Sequence, residues 1–107
     1  MKEDVLDYIQ NNYQRTLNLS EIAKQYYISE SAFSRFFKRE IGVGFTEYVR
    51  NVRLEHAKEE LQFSNQSITE ISYDCGFSNI SVFNKNFKQV FSITPKEYRK
   101  NIKQKET

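Results

Sequence analysis

The sequence contains an internal repeat, and this feature limits the possible folds more than any other. Residues of the first half recur 49 positions later near the start of the repeat, and 50 positions later further along. One additional residue between two helices of the second half explains the change of spacing. Identical pairs include Glu21/Glu70, Ile22/Ile71 and Ser29/Ser78 at spacing 49, and Phe33/Phe83, Phe37/Phe87, Lys38/Lys88, Glu47/Glu97, Tyr48/Tyr98 and Asn51/Asn101 at spacing 50. The chain therefore predicts two copies of one structural unit.

The first copy predicts a helix-turn-helix. Asn18 is followed three positions on by Glu21, which is a capping-box arrangement with Asn in place of Ser or Thr. After a tight connection, Ser29 is the predicted N-cap of a helix over residues 30–40, and Gly42 stands where a C-terminal glycine belongs. Two short helices joined by a turn of three or four residues are the helix-turn-helix pattern.

The second copy repeats this pattern. Ser67 opens the same capping arrangement, and the stretch Gly76-Phe77 supplies the turn. Ser78 is the predicted N-cap of a helix over residues 79–90. Thr94 is the predicted N-cap of a last helix. Proline occupies the first position of this helix and glutamate the third, as is typical of a helix start.

The stretch from residue 45 to residue 63 predicts one continuous helix, since it lacks Gly and Pro and is rich in helix formers. Its apolar residues form two stripes on roughly opposite sides, Phe45, Tyr48, Val49 and Val52 first, then Leu54, Ala57 and Leu61. We therefore predict an all-α fold of about seven helices, with two helix-turn-helix subdomains (residues 1–44 and 64–107) joined by the helix over residues 45–63.

Composition argues against an enzyme. The chain has one cysteine, Cys75, and one histidine, His56, and it has no Gly-rich phosphate loop and no cluster of metal ligands. We expect Cys75 to be a small buried side chain at a helix end, and we expect no cofactor and no metal. No apolar run approaches the roughly 20 residues that cross a bilayer, and no signal-peptide pattern is present. We expect a cytoplasmic protein that does not bind a membrane.

The charge is uneven along the chain. The net charge is +2, while residues 80–107 alone carry seven basic and two acidic residues. A basic segment of this kind can face a polyanion, and it can equally be a solvated surface. Composition by itself leaves both interpretations open.

Two predicted helix faces have the chemistry of a DNA major-groove reader. When the matched phenylalanines point inward, helical geometry turns polar and cationic side chains outward. These are Ser31, Ser34, Arg35 and Lys38 in the first copy, and Ser81, Asn84, Lys85 and Lys88 at the matching positions of the second copy. An ordinary solvated surface is the simpler alternative for one such helix. Repetition of the same kind of face at matched positions of two helices favours DNA reading instead.

Each side chain type suits a particular contact. Arg35 and Lys85 can donate to guanine, Asn84 can pair with adenine, and serine suits either base edge. Ile80 and Val82 can meet a thymine methyl group. We predict phosphate contacts for Lys38, Lys88, Ser29 and Ser78, and for backbone amides at the N-termini of the second and fifth helices. The alternative function, a helical protein-interaction module, predicts apolar residues on these faces.

The predicted central helix sets the spacing of the two faces. Its 17 to 19 residues, at about 1.5 Å each, span roughly 25–29 Å. With the width of the subdomains added, the two reading helices are expected to lie near one duplex turn apart, about 34 Å. Because the two faces differ in sequence, the predicted site on double-stranded DNA is asymmetric.

The sequence resembles the DNA-binding domain of AraC/XylS-type bacterial transcription regulators over nearly its whole length. The resemblance is carried by Arg53, Leu54 and Ala57, by the Gly76-Phe77 turn, and by Phe91, Thr94, Pro95, Tyr98 and Arg99 at the end. It implies a seven-helix monomer that places its third and sixth helices in successive major grooves.

The resemblance also implies a function and residue roles. By position, the base contacts fall on Ser31, Ser34, Arg35, Ile80, Ser81, Val82, Asn84 and Lys85. It further implies a transcription activator with RNA polymerase as a second partner. Most members of the family carry another domain ahead of this one, and a smaller group consists of the DNA-binding part alone. The sequence leaves both alternatives open, and we expect the first, in which this chain is the C-terminal part of a longer protein.

Overall fold

The computed structural model describes residues 1–106, with side chains described through Lys103. These residues form helices and connecting segments, and no strand occurs among them. None of the described helices is both long enough and apolar enough to span a membrane. The helices are α1 (Lys2–Asn12), α2 (Leu19–Gln25), α3 (Glu30–Ile41), α4 (Phe45–Phe63), α5 (Ile68–Asp74), α6 (Ile80–Phe91) and α7 (Pro95–Glu106). The predicted all-α fold with two helix-turn-helix units is confirmed.

The chain divides into two compact units, Met1–Val52 and Arg53 onward. The boundary lies inside α4, whereas the division predicted from the sequence gives this helix a segment of its own. Each stripe of α4 belongs to a different unit. Phe45, Val49 and Val52 belong to the core of the first unit, and Leu54, Ala57 and Leu61 are buried in the second.

Aromatic side chains form the centre of the first unit. Phe33 and Phe37 of α3 are almost completely buried. The ring of Phe37 meets the rings of Phe45 and Tyr48 edge-on, with distances between ring centres of 5.5 Å and 5.6 Å. Edge-to-face pairs at such distances add to the stabilisation from apolar burial. This packing fixes which face of α3 points away from the core.

The second unit repeats this core. Phe83 and Phe87 of α6 are fully buried. The centre of the Phe87 ring lies 4.7 Å from that of Phe91 and 5.9 Å from that of Tyr98. The ammonium of Lys58 lies 4.8 Å from the centre of the Phe91 ring, a favourable position for a cation over an aromatic face. The outward face of α6 is therefore fixed in the same way as that of α3.

The predicted capping residues begin four of the helices, α2, α3, α5 and α7. Asn18 Oδ1 accepts hydrogen bonds from the backbone N–H groups of Ser20 (2.9 Å) and Glu21 (3.4 Å), and Ser67 Oγ accepts from Glu70 N–H (3.1 Å). At α7 the capping box is reciprocal. Glu97 N–H donates to Thr94 Oγ1 at 3.1 Å, and Thr94 N–H donates to Glu97 Oε1 at 3.2 Å. These bonds pair N–H groups that the first helical turn leaves without partners.

The prediction of Ser78 as the N-cap of α6 is wrong. Asn79 is the cap, and its Oδ1 accepts hydrogen bonds from Ser81 N–H at 2.8 Å and Val82 N–H at 3.2 Å. The helix consequently begins and ends one residue later than predicted, at Ile80 and Phe91. The additional residue of the second copy lies before the cap, so the cap Ser29 corresponds to Asn79, and Ser78 is an extra turn residue.

Candidate nucleic-acid interface

The face of α3 that points away from the core is polar and exposed. Ser29 Oγ accepts a hydrogen bond from Ala32 N–H at 3.1 Å and thereby fixes the start of the helix. Because Phe33 and Phe37 of α3 are buried, the opposite side of this helix faces outward. Ser31, Ser34, Arg35 and Lys38 are all exposed. The structure therefore brings the predicted base contacts of the first unit onto one accessible surface.

Three of these residues line an open groove of about 470 Å³, formed by the start of α2 and the first turns of α3. Its lining consists of Leu19, Glu30, Ser31, Ser34 and Arg35. Lys38 lies one turn further along α3 and is not part of the lining. The groove combines a cation, a carboxylate and two hydroxyl groups, which is a set suited to hydrogen-bonding a polar edge rather than an apolar ligand.

The matching face of α6 carries the predicted residues of the second unit. Ser81, Val82, Asn84, Lys85 and Lys88 are exposed, and Ile80 is half-buried. Val82 is 48% exposed, although it stands among polar neighbours. An apolar side chain left in water at this place is available for contact with a partner such as a base methyl group.

The second unit has a groove of about 390 Å³ at the corresponding place. It is lined by Ile68 and Thr69 of α5, Ile80 and Asn84 of α6, and Thr94, Pro95 and Lys96 at the start of α7. Of the predicted base contacts, Ile80 and Asn84 meet in this groove, while Ser81, Val82 and Lys85 lie outside its lining. The two grooves are thus related by the repeat and differ in their residues.

Of the polar residues that line the grooves, the sequence prediction of the site missed Glu30, Thr69, Thr94 and Lys96. The repeat could have indicated Glu30, because Glu30 lies 50 positions before Ile80, which is a predicted base contact. Lys96 gives no such signal, since its place beside Asn84 depends on the packing of α7 against α6.

The cations of the two faces form no ion pair within 4.0 Å with the described residues, although Lys88 interacts at longer range with the carboxylate of Glu97. Ion pairs lie elsewhere on the surface, as between Arg39 and Glu40 (3.6 Å) and between Arg50 and Glu47 (3.8 Å). Arg35, Lys38, Lys85 and Lys88 belong to neither pair. Cations without a carboxylate in direct contact keep their attraction for an external anion such as phosphate.

Cys75 fits the packing role expected from the sequence. It is 2% exposed, and burial, together with the charges of Glu60 and Asp74, raises the pKa of its thiol to about 12. The protonated thiol is a poor nucleophile and packs as a small apolar group.

Comparison with known proteins identifies the family. The model of a family described as a helix-turn-helix domain matches residues 22–101. A transcriptional regulator from Chromobacterium violaceum, described as containing an AraC-type DNA-binding domain, has a similar structure with a TM-score of 0.86. It is 29% identical in sequence, and the match covers 94% of this chain and 90% of that one. This chain belongs to the AraC-type helix-turn-helix family. The family consists of DNA-binding transcription regulators.

Two further relatives extend the comparison of this AraC-type domain. An uncharacterised helix-turn-helix transcriptional regulator of Staphylococcus aureus is 39% identical over 95 residues, which are 89% of this chain. The chain spans 13% of that relative's length. The DNA-binding domain of AdpA, a global transcriptional factor whose structure contains a target DNA, gives a TM-score of 0.91 at 20% identity, over 96% of this chain and 93% of the other. At that identity the likeness supports the fold alone.

Proposed function

We propose that this AraC-type domain binds a specific site on double-stranded DNA by inserting α3 and α6 into successive major grooves. The observation that carries the proposal is the pair of exposed reading faces at matched positions of two repeated units. Each face combines hydrogen-bonding side chains with cations that have no acidic partner within 4.0 Å. AdpA, which has the same fold, was solved in complex with a target DNA.

In the first half of the site, Arg35 is the principal reader. Its guanidinium can donate two hydrogen bonds to O6 and N7 of guanine, the commonest specific contact in the major groove. Ser31 and Ser34 line the same groove and adapt to donors or acceptors on neighbouring bases.

In the second half, reading is shared among more residues. Asn84 can form a bidentate pair with adenine, and Lys85 can donate to guanine. Ile80 and Val82 supply apolar contacts for thymine methyl groups, and Ser81 adds a short hydrogen-bonding group. Since these side chains differ from those of α3, the proposed site is asymmetric.

The proposed phosphate contacts hold the domain in register. Lys38 and Lys88 lie one turn beyond the base readers on their helices, and Ser29 and Ser78 precede the two reading helices. Contacts to phosphate orient the protein without reading sequence. The proposal is a non-enzymatic one, in which the chain binds DNA as a monomer in the cytoplasm and, as part of an activator, also contacts RNA polymerase.

Selection of bound duplexes from a random pool tests the proposal. The expected result is one asymmetric site whose two informative segments have centres about 10 base pairs apart, one turn of the duplex. Insertion of about five base pairs between the segments places them on opposite sides of the duplex and should abolish tight binding. Enrichment of a single segment, or no enrichment at all, would overturn the proposal.

Arg35→Ala gives a sharper test of the first half. We expect binding to the selected site to weaken by about 1–3 kcal/mol, and we expect preference to relax at one base position only. Arg39→Ala is the matched control, because Arg39 is an exposed arginine of the same helix that pairs with Glu40. Competition binding with duplexes altered at each position measures both effects. An even loss of affinity on every duplex would mean that Arg35 contacts a phosphate instead.

A further inference from the structure

Glu30 is the single acidic residue in the lining of either groove. It is the first residue of α3, it is exposed, and it shares the first groove with Ser31, Ser34 and Arg35. Its carboxylate forms no ion pair and no side-chain hydrogen bond with the residues that the structure describes. Both carboxylate oxygens are therefore available to an external donor.

The repeat places Glu30 at the position of a proposed base reader. The reading helices begin at Glu30 and Ile80, which are 50 positions apart. One turn further on, Ser34 and Asn84 correspond in the same way, and each lines the groove of its own unit. Glu30 and Ser34 thus form the same stripe on α3 that Ile80 and Asn84 form on α6.

The chemistry of a carboxylate limits what Glu30 can contact on DNA. An ionised carboxylate only accepts hydrogen bonds, and phosphates repel it. In the major groove the donors are the N4 amino group of cytosine and the N6 amino group of adenine. Adenine also carries the acceptor N7 beside its amino group, which repels a second oxygen, whereas the cytosine base itself carries no acceptor on its major-groove edge.

We infer that Glu30 reads a cytosine in the half-site of α3 by accepting a hydrogen bond from its N4 amino group. This inference rests on the proposed function, and it adds a specificity determinant to it. The first unit then reads with two opposite charges, since Arg35 selects guanine and Glu30 selects cytosine. Repulsion between the carboxylate and phosphate makes each misaligned arrangement unfavourable, which sharpens selection for the correct base.

A purely structural role for Glu30 makes a different prediction. Acids in the first helical turn interact favourably with the helix dipole, and α1 has Glu3 and Asp4 in that place. If Glu30 served only the helix, removal of its charge would strengthen binding evenly on all duplexes by reducing repulsion. The base preference would not change.

Glu30→Gln separates the two roles because glutamine has the same shape without the charge. The measurement is competition binding to four duplexes that differ only at the base pair assigned to Glu30 in the selected site. We expect the wild-type domain to prefer cytosine by about tenfold, and we expect Glu30→Gln to shift the preference to adenine, with which glutamine pairs in bidentate fashion. Glu3→Gln in α1 is the matched control and should keep the wild-type preference.

A second measurement uses the wild-type protein and does not depend on the stability of a variant. N4-methylcytosine, when paired with guanine, directs its methyl group into the major groove and so removes the exposed amino hydrogen. We expect wild-type binding to this duplex to fall several-fold, and we expect Glu30→Ala to be insensitive to the methyl group. Equal affinity of the wild-type domain for both duplexes, or an unchanged preference in Glu30→Gln, would overturn the inference and leave the proposed function standing. Failure of the wild-type domain to bind any selected duplex would overturn the proposed function itself.

Discussion

Tyr27 adopts a left-handed backbone conformation (φ 60°) at the position where the second copy has Gly76 (φ 103°). The two turns are otherwise alike, since Tyr27 N–H donates to Lys24 O and Gly76 N–H donates to Tyr73 O, both at 3.0 Å. A residue with a Cβ atom is strained in this region of backbone space. The side chain of Tyr27 is 96% exposed, so burial of its ring does not offset this strain.

Tyr27→Gly should therefore stabilise the first unit. Relief of the strain outweighs the greater freedom of glycine in the unfolded chain, and we expect the free energy of unfolding to rise by about 0.5–1 kcal/mol. Urea denaturation, monitored by circular dichroism, measures this free energy of unfolding. Tyr27→Ala is the control, because alanine keeps the Cβ atom and should match the wild type. Equal stabilisation by both substitutions would show that the exposed ring, rather than the backbone, is responsible.

At the scale of helices, Arg99 of α7 contacts the end of α4 and the segment before α5. Its guanidinium donates to three backbone carbonyls, Leu61 O at 3.2 Å, Ser64 O at 3.3 Å and Gln66 O at 2.6 Å. Carbonyls at the end of a helix have no partner within the helix. A planar group with five N–H donors can reach several of them at once.

Arg99→Ala should destabilise the second unit by about 2–3 kcal/mol, because it removes charge-assisted hydrogen bonds and leaves carbonyls with fewer partners. Arg99→Lys should recover little, since an ammonium group cannot reproduce the fork of donors. Lys100→Ala, at the exposed neighbour, should change stability by less than about 0.5 kcal/mol. Hydrogen exchange of the backbone amides of α5, α6 and α7 shows which of these helices lose stability. Wild-type protection in Arg99→Lys would show that charge alone accounts for the role of Arg99.

The reciprocal capping box of α7 predicts a dependence on pH. Hydrogen bonding with the Thr94 side chain, and secondly with its backbone N–H, lowers the pKa of Glu97 below its ordinary value. A carboxyl group whose pKa is lowered by folding stabilises the folded state above its ordinary pKa, and this contribution disappears as the pH falls through the lowered value. The difference in melting temperature between the wild type and Glu97→Gln should therefore shrink between about pH 6 and about pH 3. Glu55→Gln, at an exposed position of α4, is the control. A constant difference across this range would contradict the role of the ionised carboxylate.

Helix boundaries were predictable where one strong capping residue stood before an apolar pattern, as at Asn18, Ser67 and Thr94. The boundary of α6 was misplaced because Ser78 and Asn79 are both good N-caps, and the identity of Ser78 with Ser29 favoured the wrong one. The contacts of Arg99 could not be predicted, because its carbonyl partners lie 33 to 38 positions away in the chain. Local sequence determines a cap, whereas packing determines a contact of that range.

For the molecule as a whole, the internal repeat explains why the outward faces of α3 and α6 could be predicted from the sequence. The grooves beside these faces could be predicted only in part. Burial of the matched phenylalanines fixes the outward direction of Ser34 and Asn84, and the repeat alone indicates that direction. The grooves also depend on neighbouring helices. Lys96 of α7 lines the second groove, while the matching position in the first copy is Thr46. The two units therefore differ in charge where they are expected to meet DNA.

Lys88 tests whether the second unit contributes to electrostatic attraction as proposed. A lysine that neutralises one phosphate releases condensed counterions, and its loss reduces the slope of log affinity against log salt concentration by about 0.9. We expect Lys88→Ala to lower the slope by this amount and to weaken binding about equally on all duplexes, because phosphate contacts carry no sequence information. Lys24→Ala is the matched control, since Lys24 is an exposed lysine in the last turn of α2 and is not among the proposed contacts. Titrations at several salt concentrations, with circular dichroism to verify that each variant is folded, provide the slopes. An unchanged slope in Lys88→Ala would remove Lys88 from the phosphate contacts, and a loss confined to certain sequences would make it a base reader instead.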